Sequence, residues 1–196
     1  MTNGFQMTIP KVRSLINDYL SHRLNHSIKL RPAIDMAKIA GVGKPTVVYR
    51  GPFRGFSLPT YAADEEVFFM IPHILERWNG VSDFTVHIHG YLDTANTAKK
   101  FKLQLSWNHT MFGGLVPGTF NDLTDETTTG TWAQYQSFTV DFTIDYDIDT
   151  PTVIVPGCVV ACRLRRLAAS SDEIAGEVVI AGIDIDYHID KVGAPL

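Results

Sequence analysis

The stretch Glu177-Val178-Val179-Ile180-Ala181-Gly182-Ile183-Asp184-Ile185-Asp186-Tyr187-His188-Ile189-Asp190 decides the fold. Within it Ile183, Ile185, Tyr187 and Ile189 alternate with Asp184, Asp186, His188 and Asp190. An extended chain sends successive side chains to opposite faces, so the pattern predicts a strand with one oily face and one polar face. Phe84 to Leu92 carries the same signature, with Phe84, Val86 and Ile88 alternating with Thr85, His87 and His89. Two such strands need a common core, and the chain beyond Thr60 is patterned to supply it.

Working outward, Glu66 to Ile71 reads as a strand closed by Pro72, and Phe101 to Trp107 puts Phe101, Leu103, Leu105 and Trp107 on one face. Phe138, Val140, Phe142, Ile144, Tyr146 and Ile148 alternate with Thr139, Asp141, Thr143, Asp145, Asp147 and Asp149 in the longest half-buried pattern of the chain. Val153-Ile154-Val155 and Gly157 to Leu164 give one or two more strands, with Arg163 and Arg165 opposite Cys158, Val160, Cys162 and Leu164. Between them Met111 to Thr131 reads as a Gly/Thr/Asp-rich contact loop, since about twenty residues exceed an ordinary connection. Seven or eight strands with long loops predict an all-β fold, an antiparallel jelly-roll sandwich.

The N-terminal part is different. Val12, Leu15, Ile16, Tyr19 and Leu20 recur at helical spacing after Thr8 and Pro10, which predicts one short amphipathic helix over about residues 9–22. Residues 26 to 60 are broken by Pro32, Gly41, Gly43, Pro45, Gly51, Gly55 and Pro59 and read as an extended arm, with Lys44 to Tyr49 as a possible edge strand. The division is therefore a basic arm over 1–60 and a sandwich domain over 61–196. Charge follows it: residues 1 to 60 hold nine Lys or Arg against two acids, a net of +7, whereas the remainder holds eight bases against nineteen acids, a net of -11. Such asymmetry suits an arm that seeks an acidic partner.

A chain of 196 residues with 45% apolar and 19% charged content can bury a proper core as one domain. No window approaches eighteen consecutive apolar residues, so no membrane span is expected, and the N-terminus lacks the pattern of a secretory signal. Cys158 and Cys162 lie four residues apart, about 13 Å along a strand and too far for a mutual disulfide, so they read as buried small hydrophobes. Trp78, Trp107 and Trp132 read as core or interface aromatics.

Three residues are candidate metal ligands. His87 and His89 share a strand face about 6.6 Å apart, a spacing two ligands of one ion can use, and His188 with Asp186 would complete the set if the last strand pairs nearby. The alternative is that they are polar-face residues bonded to neighbouring strands. Asp93, four residues after His89, raises a cupin-like metalloenzyme, but no histidine accompanies the later Pro156-Gly157 strand. Asp141, Asp145, Asp147 and Asp149 are spread along a strand instead of wrapped around an ion, and a solvated row or one met by Arg163, Arg165 and Arg166 is expected. Phosphate-loop, H-E-x-x-H, G-x-S-x-G and C-x-x-C patterns do not occur. Neither a catalytic residue nor a cofactor is expected, beyond a possible structural divalent metal.

Ser82-Asp83-Phe84-Thr85-Val86-His87-Ile88-His89, a strand ending in Trp107, Cys162-Arg163-Leu164-Arg165-Arg166, and Gly182 to Asp190 together resemble a group of tailed-phage and prophage virion proteins. Their pattern is an H-x-H strand, a later R-L-x-R strand and an acidic D-Y-H-x-D ending; the resemblance spans about residues 61 to 192. Here Gly90-Tyr91 replaces the aromatic that usually follows H-x-H. The resemblance implies a jelly-roll capsid decoration or cement protein, made in the host cytoplasm and placed on the capsid exterior. Its implied partners are the major capsid protein and copies of itself, as a homotrimer, with nucleic acid unexpected. The alternatives are a coat, minor capsid or fibre protein, or a cupin-like enzyme or carbohydrate-binding receptor module.

Overall fold

The computed structural model describes residues 34–35, 45–59, 65–71, 78, 80, 82–111, 113–147 and 154–188. Its strands are β1 Ile34–Asp35, β2 Thr46–Arg50, β3 Phe53–Leu58, β4 Glu66–Ile71, β5 Phe84–Leu92, β6 Asn96–Thr97, β7 Lys100–Met111, β8 Asn121–Thr128, β9 Thr131–Trp132, β10 Ser137–Ile144, β11 Cys158–Leu167 and β12 Val178–Asp186. One sheet has the order β1-β4-β11-β7-β8, the other β10-β5-β12-β3-β2, and every strand pairing in them is antiparallel. If the eight long strands from β3 to β12 are counted in chain order, one sheet runs first, eighth, third, sixth and the other second, seventh, fourth, fifth. That alternation between sheets is the jelly-roll sandwich the sequence predicts.

The period-two patterns build the core. Phe84, Val86 and Ile88 of β5, Phe138, Val140, Phe142 and Ile144 of β10, and Ile183 and Ile185 of β12 face Phe101, Leu103, Leu105 and Trp107 of β7 across the sandwich. Cys158 and Cys162 are buried among them as free thiols, and burial pushes the Cys162 thiol well above its ordinary pKa. Trp107 is fully buried, so truncation to Ala would cost about 3–5 kcal/mol. Trp78 is buried as well, and Trp132 packs partly buried against the core.

Arg166 closes one end of the sandwich. It shares strand parity with Leu164 and points inward, where an arginine can persist only if its donors are met. One guanidinium nitrogen donates to the carbonyls of Leu58 (3.2 Å), Pro59 (2.6 Å) and Gly176 (2.8 Å), and the other to that of Ile174 (3.0 Å) and to Glu173. The side chain thus ties the end of β3 to the loop leading into β12. The arginine that ends the R-L-x-R stretch, Arg166, is a clasp here.

Several expectations need correction. The sandwich begins upstream of the 60/61 division: β3 pairs with β12 through Val178↔Leu58, Val179↔Ser57 and Ile180↔Phe56, and β2 is the edge strand foreseen over Lys44 to Tyr49. The pattern was masked because β3 needs Gly55, whose absent side chain leaves room for the Val179 side chain and the Ile180 carbonyl. The long loop over 111–131 contains β8, an edge strand of Asp and Thr residues whose Leu123 alone reaches the core, so periodicity gave no sign of it. The strand expected to run to Ile148 ends at Ile144, and Ile154 is buried without being in a strand. Asp141, the member of the acidic row within β10, does not meet the arginines, because β10 pairs with β5 while β11 lies in the opposite sheet. Arg163 instead pairs with Glu66 at 3.3 Å and donates to Ser106 Oγ. The helix expected over residues 9–22 lies outside the described residues. Among the described residues no helix is long and apolar enough to cross a membrane.

Candidate functional site

The outer face of the β10-β5-β12-β3-β2 sheet collects the polar phases of the two strands that opened the sequence reading. Register puts His87 between Asp141 and Asp184, and His89 between Thr139 and Gly182. His87 Nδ1 lies 2.7 Å from Asp141 Oδ1, and its Nε2 lies 3.2 Å from Asp186 Oδ2, close enough for an ion pair though not aligned as a hydrogen bond. His89 Nδ1 meets Thr139 Oγ1 at 3.1 Å and its Nε2 meets Asp184 Oδ2 at 3.2 Å. The two rings stack with centroids 6.4 Å apart. Desolvation would lower the His87 pKa, but Asp141 and Asp186 outweigh it and hold the imidazole above the ordinary 6.5.

This geometry brings His87 and His89 together and leaves His188 apart. The β12 register ends at Asp186↔Thr85, so His188 lies four residues beyond the level of His87, about 13 Å along the strands. Both nitrogens of His87 and of His89 already face side-chain partners, leaving no lone pair directed at a common point. Among the described residues no three His, Cys, Asp or Glu side chains are grouped to hold a metal ion. Asp93, the acid a cupin-like arrangement would need, accepts the Glu177 N–H at 2.6 Å. His87 and His89 also face away from the intersheet core that Val86 and Ile88 enter. The H-x-H is therefore a rung in a His–Asp ladder across three strands.

Beside the ladder the same face opens into a cleft of about 630 Å³. Its walls are Phe53, Tyr91 and Tyr135, and Arg50, His89, Ser137 and Thr139 bring polar groups to it. Gly90 and Ala181 form part of the floor. Gly90 is required there because a Cβ would run into the Phe138 ring and the Val179 carbonyl. Ala181 sits at the bulge between Ile180 and Gly182, where the register of β12 shifts.

Tyr135 is held in an unusual backbone state, with φ at +65°. A non-glycine residue pays for that conformation, and such residues concentrate where geometry is put to use. The turn is fixed by Tyr135 N donating to Leu92 O at 2.8 Å, Gln134 Nε2 to Asp93 O at 2.8 Å, and Ala133 N to Gln136 Oε1 at 3.1 Å. So placed, the Tyr135 ring meets Tyr91 edge-on with centroids 6.2 Å apart, and the Arg50 guanidinium lies 3.8 Å over it. Burial, reinforced by Tyr135, raises the Tyr91 pKa, so its phenol stays a neutral donor. Phe53 projects from the other side, 65% exposed. A pre-set aromatic wall facing hydroxyl, imidazole and guanidinium groups can stack on one face of a ligand while bonding its edge.

Apart from His89, sequence reasoning missed the cleft residues. Tyr91 could have been found, because it continues the outward phase of His87 and His89. Arg50 and Phe53 flank the Gly51-Pro52 turn of the β2–β3 hairpin, and Tyr135 lies in a turn, so neither has a periodic signal.

A second exposed feature lies at the end of the other sheet. Leu115 and Val116 are 94% and 82% exposed, with Met111, Phe120 and Val155 also exposed nearby in the chain or the fold. Met111, Leu115 and Val155 line one hollow with Cys158.

No family model and no curated protein matches this chain. Among solved structures it is similar to a xylan-binding module, CBM15, at 15% identity over 83% of this chain and 97% of that one, with a TM-score of 0.47. It is also similar to the CBM36-1 domain of a multidomain xylanase from the hindgut metagenome of Trinervitermes trinervoides, at 10% identity over 87% of this chain and 100% of that one, with a TM-score of 0.40. At that distance neither lends a residue role to this chain.

Proposed function

We propose that this chain is a non-catalytic recognition protein whose cleft takes carbohydrate. The observation that supports it is the wall of Phe53, Tyr91 and Tyr135 set against Arg50, His89, Ser137 and Thr139. A pyranose has an apolar C–H face and a rim of hydroxyls, which is the complement of aromatic rings beside short polar side chains. The fixed Tyr135 turn lowers the entropy lost on binding. A glycan array probed with the full chain tests the reading. Binding that disappears in Tyr135→Ala, with the melting temperature kept, is the expected outcome; array binding unchanged in that variant would sink it.

A second reading, a virion decoration or other structural subunit of the tailed-phage type, is favoured by the exposed Leu115-Val116 loop together with the motif resemblance. An apolar cluster of this exposure is the mark of a protein contact. Neighbouring copies of this chain, as a homotrimer, and a capsid surface would be its occupants, on the particle exterior. Doubly charged Leu115→Asp/Val116→Asp protein should then fail to attach to particles, and full occupancy by that variant would exclude the loop as the contact. The two readings are compatible, since they use opposite sheets.

A further inference from the structure

We infer that the cleft selects an acidic sugar, a carboxylate-bearing pyranose, with Arg50 as the residue that reads the carboxylate. The inference rests on the carbohydrate reading above and adds the ligand's charge. Arg50 is the cleft's one permanent cation among the described lining residues. It lies over the Tyr135 ring with its central carbon 3.8 Å from the centroid, and among the described residues no carboxylate or carbonyl accepts its N–H groups. The ring contact holds the guanidinium at the cleft while its N–H donors stay available, which suits bidentate capture of a planar carboxylate.

The contrast with the other charged groups of the face sharpens the assignment. Asp184 stands 3.2 Å from His89. Asp141 and Asp186 are engaged with His87, one rung farther along. Glu177, whose charge reaches Tyr91, accepts the Ser57 hydroxyl at 2.6 Å. The local acids thus have partners of their own, whereas among the described residues Arg50 has the Tyr135 ring and no acid. A ligand carboxylate laid against Arg50 would place its ring along Tyr135 and Tyr91, with Ser137, Thr139 and His89 near the hydroxyl rim. A neutral sugar could use the same rings but would leave the guanidinium without an anion.

The test is isothermal titration of the full chain with oligogalacturonate and with the same oligosaccharide after carboxyl reduction. The uronate should bind at least about tenfold more tightly, as a bond to a charged group warrants. Arg50→Gln should erase that preference to within about twofold by weakening the uronate more than the reduced sugar, and Tyr135→Ala should lose both. Arg50 is exposed on a hairpin, so its variant is expected to fold, and melting temperature checks that. Equal binding of the two sugars, or a preference that survives Arg50→Gln, would overturn the acidic-sugar inference and leave carbohydrate recognition standing. Binding of neither, with intact fold, would overturn both.

Discussion

Arg166 and Arg50 carry the same side chain and do opposite work. Arg166 is 4% exposed and gives its guanidinium to four carbonyls and Glu173, so it has nothing left to offer a ligand. Arg50 is exposed on a hairpin and rests on one ring with its donors uncommitted among the described residues. The same contrast runs along one sheet face, where each histidine of the His–Asp ladder stands against an acid and Arg50 in the adjoining cleft does not, among the described residues. A committed arginine holds the sandwich together, and an uncommitted one marks where something else can bind.

Breaking the clasp should have the largest effect. Arg166→Ala would strand four carbonyls, three of them buried, and Glu173, so a loss of about 3–5 kcal/mol is expected in chemical denaturation, with any glycan binding lost only through unfolding. Arg50→Ala should leave the denaturation midpoint unchanged. Equal stability losses in the two variants would erase the distinction.

Next comes the cleft floor. Gly90→Val would drive side-chain atoms into Phe138 and the Val179 carbonyl, and a cost of about 1–3 kcal/mol is expected from overpacking, read as a lower melting temperature. Tyr135→Gly should do the reverse. Relief of the positive φ would make it neutral or slightly stabilising by about 1 kcal/mol, while the aromatic wall, and with it glycan binding, is lost.

The ladder gives the smallest effect. The His87 pKa is raised in the folded chain, so the stabilisation from its pairs with Asp141 and Asp186 is complete below about pH 6.5 and fades as pH rises through the folded value. Melting temperature should therefore fall by less than about 3 °C between pH 6 and pH 8 on this account. His87→Asn should flatten that slope, and a slope unchanged in the variant would remove His87 as its source.

The fold was legible wherever one sheet face is oily. β4 and β5 run over the residues their alternation marks, and β7, β10, β11 and β12 differ mainly at their ends. Strands were illegible where the pattern is diluted, as in the polar edge strand β8 and in β3, whose Gly55 yields space to Val179. The site was legible only in part. His87 and His89 stood out by their spacing, but that spacing could not tell ligands from rungs, because the answer depends on Asp141 arriving from one side and Asp184 and Asp186 from the other. The cleft depends on the β2–β3 hairpin and the Tyr135 turn meeting over Tyr91, a contact between residues more than forty positions apart.

The most direct measurement is a heteronuclear NMR titration of the isotope-labelled full chain with neutral and acidic oligosaccharides. The account predicts saturable shifts at Arg50, Phe53, Tyr91 and Tyr135, with Asp141 and Asp186 at the far side of the ladder unmoved. Shifts confined to the loop at Leu115 and Val116, or no shift with any sugar at millimolar concentration, would contradict it.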